Sequence, residues 1–349
     1  MTQFEVPVVS IVMPCRNERR YIQMAVESLL RQDFTTGALE LLVVDGLSQD
    51  GTRDILSAIA HADSRVRIID NPKRTTPCAL NAGILAARGE YVAILGAHSE
   101  YATGYLRACV EVLERDLVVA CAGGPINSRG KSDFGRAVAA AMSHPVGIGN
   151  ARHRQPQYEG YAEGACYPVF RRAVFQEIGM YDEALIRNQD DELNYRLNKA
   201  GWKVFLTSRA QCTYFVRDTA KALFRQYFEY GYWRVAVLKK HGRPASLRQL
   251  VPATFLGGLI SSFAFAWLGP DSLRVAALAP AMSYMLLLLG AGALQGLKQG
   301  GKVGLLFPLA ASIMHFAYAA GFGWGAIKNA LKPTSPVSPS NSDELRNLR

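Results

Sequence analysis

Between Val251 and Ile327 the chain is nearly uncharged and rich in Leu, Ala, Gly and Phe. Three apolar segments fall there, at 251–268, 275–294 and 304–326, separated by Gly269-Pro270-Asp271 and Leu297-Lys298-Gln299-Gly300. A helix needs roughly 20 apolar residues to cross a bilayer, and three such lengths in succession are unusual in a protein that stays in water. The pattern predicts two to three membrane helices over residues 250–328. Lys239, Lys240, Arg243 and Arg248 precede the first segment, and Lys298 and Lys302 flank the second break. Basic residues are favoured on the cytoplasmic side, so both flanks are expected there. Three spans would leave the C-terminus outside. The third segment is Gly-rich with Lys328 and Lys332 beside it, so an in-plane or re-entrant helix is a rival reading. A buried helical bundle in a soluble protein is the other.

The formal net charge of +10, from 39 Lys and Arg against 29 Asp and Glu, suits nucleic acid, an anionic membrane or a phosphorylated small molecule alike. The basic cluster ahead of the apolar segments favours the membrane. No interleaved aromatic and basic groove tracks a nucleic acid strand, and no nucleic acid partner is expected. Six cysteines (Cys15, Cys78, Cys109, Cys121, Cys166, Cys212) form no C-x-x-C pair, which suits reduced cytosolic thiols. The apolar run Val8–Met13 is too short for a signal peptide and lacks a basic leader, so the polar part is expected in the cytoplasm. The Pro/Ser-rich end, 332–349, reads as a disordered tail.

The first hundred residues alternate short β-branched runs with helical spacing. Strands are expected at Val8–Met13 (ended by Pro14), Leu39–Val44, Arg65–Ile69 and Tyr91–Leu95, with helices at Ala25–Leu30, Thr52–Ala60 and Pro77–Ala87. This is the signature of an α/β domain with a mostly parallel sheet, in which ligands gather beyond the carboxyl ends of the strands. Polar groups follow those strands: Arg16-Asn17-Glu18, Asp45-Gly46 and His98-Ser99-Glu100. Past residue 120 the pattern loosens, and 144–164 reads as a long loop that covers a site. A helix over Asp190–Ala200, a strand over Lys203–Leu206 and an aromatic-rich amphipathic helix over Thr219–Lys240 follow.

Pro14-Cys15-Arg16-Asn17-Glu18, followed by Asp45-Gly46-Leu47-Ser48-Gln49-Asp50-Gly51-Thr52, resembles glycosyltransferase family 2. The resemblance implies a GT-A-type nucleotide-sugar-binding fold, with Pro14, Asn17, Glu18, Asp45, Asp50 and Asn81 on the donor side. Carboxylates placed after strands can accept hydrogen bonds from ribose hydroxyls or a base edge. Most of the family ends its fourth strand in Asp-x-Asp, which meets ribose and a divalent ion, Mn²⁺ or Mg²⁺, on the diphosphate. Here the positions are Gly96, Ala97 and His98. His98 fits a subset similar to succinoglycan-type exopolysaccharide glucosyltransferases and is the candidate metal ligand or phosphate partner; Gly96 departs from it.

Gln189-Asp190-Asp191-Glu192-Leu193 resembles the family's acidic helix start, with Gln189 in place of Glu. An inverting transfer needs a base for the acceptor hydroxyl, and by resemblance that base is Asp190. Gly164, Asp191 and Glu192 are expected on the acceptor side. Gln226-Tyr227-Phe228-Glu229-Tyr230-Gly231-Tyr232-Trp233-Arg234 resembles a segment of the same subset, which makes Gln226 an acceptor-side residue and Arg234 a stabiliser of the leaving diphosphate. An interfacial helix accounts for the same aromatic residues. The whole reading is a GT-A-like domain over 1–240 followed by membrane helices. It implies transfer of a hexose, glucose from UDP-glucose, to a lipid-linked or saccharide acceptor at the inner membrane of a bacterium. The rival, prompted by Gly96, is a catalytically impaired homologue that only binds a nucleotide or partner.

Overall fold

The structure is a computed structural model that describes residues 8–34, 39–244 and 246–330. The expected tail at 332–349 lies outside the described residues.

Strand and helix alternate from the start: β1 (Val9–Cys15), α1 (Ile22–Leu30), β2 (Leu39–Asp45), α2 (Thr52–Ala62), β3 (Val66–Asp70), α3 (Thr76–Ala86) and β4 (Tyr91–Ile94). Next come β5 (Ser99–Tyr101), α4 (Tyr105–Arg115), β6 (Val119–Gly123), β7 (Ile126–Arg129), α5 (Asp133–Met142) and the single turn α6 (Pro145–Ile148). They lead into β8 (Gly160–Ala162), β9 (Val169–Arg171), α7 (Ala173–Ile178), α8 (Gln189–Lys199), β10 (Lys203–Leu206) and β11 (Cys212–Phe215). The remaining described chain is helical: α9 (Ala220–His241), α10 (Val251–Leu268), α11 (Asp271–Ala277), α12 (Ala279–Gln299) and α13 (Gly301–Ala330).

Three local expectations change. β1 runs through Pro14 to Cys15, because its pairing with β4 stops at Val12↔Ile94 and the missing proline N–H falls beyond that ladder. The stretch 144–164 is not structureless: it holds α6, a 3₁₀ turn at Arg152–Arg154 and β8. The middle apolar segment is two helices, since Pro280 cannot continue α11 and instead opens α12.

Among the described residues the chain forms two compact units, one of residues 8–127 and 152–214, the other of 128–151 and 215–330. This grouping differs from the sequence boundary at 240, since it sets α5 and α9 with the apolar helices. The first unit is built on an eight-stranded sheet of order β3-β2-β1-β4-β9-β6-β10-β8. β3, β2, β1 and β4 are mutually parallel, β9 runs antiparallel between β4 and β6, and β8 closes the far edge antiparallel to β10. Side chains alternate across it: Ile11, Met13, Leu41 and Val43 pack under α1 and α4, while Val12, Leu42 and Val44 pack under α3 and α8. Each such fully buried aliphatic contributes roughly 1.5–3 kcal/mol. α3 lies close on β1 because Gly83 leaves room for Val12; a Cβ at 83 would strike it.

In the second unit α13 packs against α5, α9, α10 and α12. Gly231 of α9 and Gly321 of α13 let the two backbones touch, since a Cβ on either would strike the other helix's carbonyl. Among the described residues three stretches are long and apolar enough to cross a membrane: Val251–Leu268, Asp271–Gln299 and Gly301–Ala330.

Candidate active site

The parallel strands deliver β1, β2 and β4 to one edge of the sheet, and the polar groups that follow them form one hydrogen-bonded cluster. Asp45, buried at the end of β2, accepts from the Ser48 hydroxyl at 2.6 Å and the Ser48 N–H at 3.2 Å. It also accepts from Arg53 Nη1 at 3.2 Å, and the same guanidinium reaches Asp70 at 2.5 Å. Asn17 donates its N–H to Ser48 Oγ and accepts the Gln49 N–H on its side chain, both at 2.9 Å. Asp50 accepts the N–H of Thr52 at 3.0 Å and that of Arg19 at 3.1 Å, so it ties the β1 loop to the start of α2. The Thr52 hydroxyl, itself donating to Asp50, accepts the Glu18 N–H at 2.8 Å. Glu18 Oε1 then lies 2.8 Å from His98 Nε2, and the Tyr21 ring meets His98 edge-on.

Asn17, Glu18, Asp45, Asp50 and His98 are thus brought together beyond the ends of β1, β2 and β4. Their bonds also assign work to Ser48, Thr52 and Arg53, which sequence reasoning passed over although Ser48 and Thr52 stand inside the motif. Asn17 and Leu47 both hold left-handed backbone (φ 56° each). A left-handed leucine costs on the order of 1–2 kcal/mol, and such strain gathers at functional loops.

Asp190 belongs to a neighbouring cleft. It opens the first turn of α8 behind Asn188, a left-handed residue at φ 59°, and is exposed. The cleft is lined by Pro14 from β1, Gly96 after β4, Cys166, Tyr167, Gln189, Asp190 and Asn194. Asp190 Oδ1 accepts the Asp191 N–H at 2.9 Å. Burial pushes the Cys166 thiol up to about 12, with Asp190 and Asp191 adding to the rise against Arg154, so Cys166 is a neutral wall rather than a nucleophile. Gly164 admits its loop to α8; a Cβ there would come 2.5 Å from the Asn194 amide.

Two expected contacts turn inward instead. Asn81 is buried, donates to the Tyr181 carbonyl at 2.9 Å and accepts the Tyr181 N–H at 3.0 Å, so it staples the segment before α8 rather than facing the donor loops. Glu192 is fully buried and paired with Arg196 at 2.9 Å. Arg196 in turn donates to the carbonyls of Ile178, Gly179 and Met180. Both residues orient the start of α8. Arg234 and Gln226 belong to α9 in the second unit, where Arg234 sits on the helix's buried stripe with Leu223, Tyr227, Gly231 and Val237.

The divalent ion implied by the resemblance finds a thin donor set. At Gly96 a Cβ would lie 3.0 Å from the Tyr167 ring, whose hydroxyl is held by Ser99 at 2.8 Å, so the place of a carboxylate is packed with an aromatic. The Tyr101 hydroxyl further bridges the N–H and carbonyl of Gly96. His98 is engaged with Glu18, and among the described residues no group of three His, Cys, Asp or Glu is placed to hold a metal. These residues do not fit a tightly held ion.

A sheet of this order, with acids beyond its parallel strands and a carboxylate at the head of α8, defines a GT-A-type nucleotide-sugar-binding fold. The pattern of glycosyl transferase family 2 matches residues 10–179. Succinoglycan biosynthesis protein ExoA of Rhizobium meliloti (strain 1021) is 34% identical over 317 residues, which are 89% of this chain and 93% of that protein. A Methanococcus voltae dolichyl N-acetyl-alpha-D-glucosaminyl phosphate 3-beta-D-2,3-diacetamido-2,3-dideoxy-beta-D-glucuronosyltransferase is 27% identical, over 66% of this chain and 74% of its own. In fold, the chain is similar to mannosyltransferase PcManGT from Pyrobaculum calidifontis (TM-score 0.59, 19% identity), with 91% of this chain and 87% of that one covered. The chain belongs to glycosyltransferase family 2.

Proposed function

We propose that the protein transfers a hexose, glucose from UDP-glucose, with inversion onto a lipid-linked saccharide during exopolysaccharide or cell-surface glycan synthesis. The observation that carries this is Asp190: an exposed carboxylate at a helix start, facing a cleft beside the loops that hold Asp45, Glu18 and His98. The name of the Rhizobium relative supports the exopolysaccharide setting, and that of the Methanococcus relative supports a lipid-phosphate-linked acceptor. The basic flank before α10 supports the cytoplasmic face of the plasma membrane, where such an acceptor lives.

In this reading Asp45 and Glu18 hold the nucleoside. Asp190 takes the proton of the acceptor hydroxyl as that oxygen attacks the anomeric carbon. The bond from that carbon to the diphosphate oxygen breaks on the opposite face, so the configuration inverts and the nucleoside diphosphate leaves. On the strength of their motif alone, Arg234 and Gln226 are carried as leaving-group stabiliser and acceptor-side contact. Gly96 packed by Tyr167 favours a second reading, a homologue that binds nucleotide without turning it over.

The deciding experiment offers a panel of radiolabelled nucleotide sugars to membranes containing the protein, with and without Mn²⁺ and chelator. Turnover of UDP-glucose alone supports the proposal, and turnover of another sugar keeps the transferase and replaces its donor. Nucleotide binding without turnover of any donor leaves the second reading.

A further inference from the structure

The three apolar stretches do not have equal surroundings. α10 is largely exposed, as is the first half of α12, whereas α13 is buried along much of one side, by the charge-bearing helices α5 and α9 and by α6 as well as by α12 and α10. At its start Lys302 pairs with Asp133 of α5 at 3.4 Å, and Asp133 also pairs with Arg136. In the middle His315 Nε2 lies 2.9 Å from the Gly147 carbonyl of α6, and its Nδ1 lies 2.9 Å from the Tyr284 hydroxyl of α12. Beyond that, Gly321 and Gly325 seat against the backbone of α9 at Phe228 and Tyr232, and near its end the Asn329 carbonyl accepts from Lys239 Nζ at 3.3 Å.

α13 has 30 residues, about 45 Å of helix at 1.5 Å per residue, against a hydrocarbon core of about 30 Å. No core-thick stretch of it is clear of α5, α6 or α9. If α13 crossed the bilayer, α9 would have to lie at hydrocarbon depth too, since its Phe228 backbone seats on Gly321, and this would put Arg225 and Glu229 among the lipid. Charged side chains in that position are expensive. The large apolar residues that α13 leaves exposed form a broken stripe near its two ends, Leu305 and Leu309 beside Lys302, and Trp324 and Ile327 beside Lys328. With its other side packed on α9 and α5, a helix that exposes only such a stripe can rest on the acyl chains without crossing them.

We propose that α13 lies along the membrane surface without crossing it, presenting that stripe to the acyl chains, so that the C-terminus stays on the side that holds α5 and α9. The exposed apolar faces of α10 and α12 supply the deeper bilayer contact. This rests on the membrane reading above, not on the identity of the sugar. Among the described residues no stretch before Val251 is long and apolar enough to span, so the N-terminus reports the side of α9.

The test uses the full chain in bacterial cells, with green fluorescent protein fused to the N-terminus or the C-terminus and alkaline phosphatase fused to the C-terminus. Expected are fluorescence from both fusions, an inactive phosphatase, and retention of all three in carbonate-washed membranes. An active phosphatase with a dark C-terminal fluorescent fusion would mean three crossings and would overturn the proposal. Release by carbonate would overturn it by a different route, by removing the membrane reading itself, and leaves the transfer assay to stand alone.

Discussion

Asp190 and Gly96 face the same cleft but stand differently to the chemistry. Asp190→Asn keeps the shape, the helix-start position and the bond to the Asp191 N–H, and removes only the capacity to take a proton. Transfer should fall by roughly 10²–10⁴ with nucleotide binding unchanged, the usual reach of a general base. Parallel transfer assays and binding isotherms check this; transfer at the original rate would remove Asp190 from its proposed role. Gly96→Asp reinstates the family's carboxylate, yet its Cβ would lie 3.0 Å from the Tyr167 ring, which must give by a few tenths of an ångström against its Ser99 bond. We expect no gain in turnover and a loss of about 1–3 kcal/mol, typical of overpacking, read as a lower unfolding temperature in detergent. At this scale the sequence showed which residue types come in which order, and that was enough to assemble the Asp45 and Glu18 cluster. It could not show which way a side chain bonds. Asn81 and Glu192 sit in site motifs yet spend their polar atoms on Tyr181 and Arg196. Tyr167 carries no local signal at all, because its meaning comes from touching Gly96 across 71 positions of chain.

β2 is anchored by its second residue as much as by its apolar face. Glu40 is buried, accepts from the Ser10 hydroxyl at 2.7 Å and the Arg88 N–H at 2.9 Å, and pairs with both Arg88 and Arg67. Burial alone would raise its carboxyl, but the bonds from Arg88 and Ser10 outweigh it and hold the group below its ordinary 4.5. A depressed carboxylate gives stability that is present above the unfolded value and lost as pH falls through the folded one. Unfolding temperatures in detergent should therefore drop for the native protein as pH is lowered below about 4.5. Glu40→Gln should be less stable at pH 7 by ~1–3 kcal/mol, the scale of hydrogen bonds to a charged group, and should lack that part of the acid sensitivity. A variant with the native pH profile would show that Glu40 is not the linked group. Strands and helices up to β4 were legible because β-branched runs alternate with helical spacing. β6 (Val-Ala-Cys-Ala-Gly) and the alanine-rich α5 were not, since small residues give little contrast between a buried face and an open one.

For the whole molecule, the question is where the catalytic part ends. Composition changes abruptly near residue 250, and a domain over 1–240 is the natural proposal from sequence. α9 nevertheless keeps Leu223, Tyr227, Val237 and Arg234 on one buried stripe, its glycine notch seated on α13, and α5 rests on the same helix. Sequence could not reveal this, because the alanines and glycines that let these helices touch look like featureless apolar filler. Ending the chain after residue 242 would strip that cover. Leu223, Tyr227 and Val237 alone represent roughly 1.5–3 kcal/mol each, a large share of the 5–15 kcal/mol that holds a typical domain together. The truncated protein should then aggregate when expressed without detergent, whereas the full chain extracted in detergent should elute as one species. Size-exclusion chromatography of the two, followed by nucleotide binding, decides it. A monodisperse, nucleotide-binding product ending at 242 would make residues 1–240 an independent domain, and the cover supplied by α13 would then be dispensable for folding.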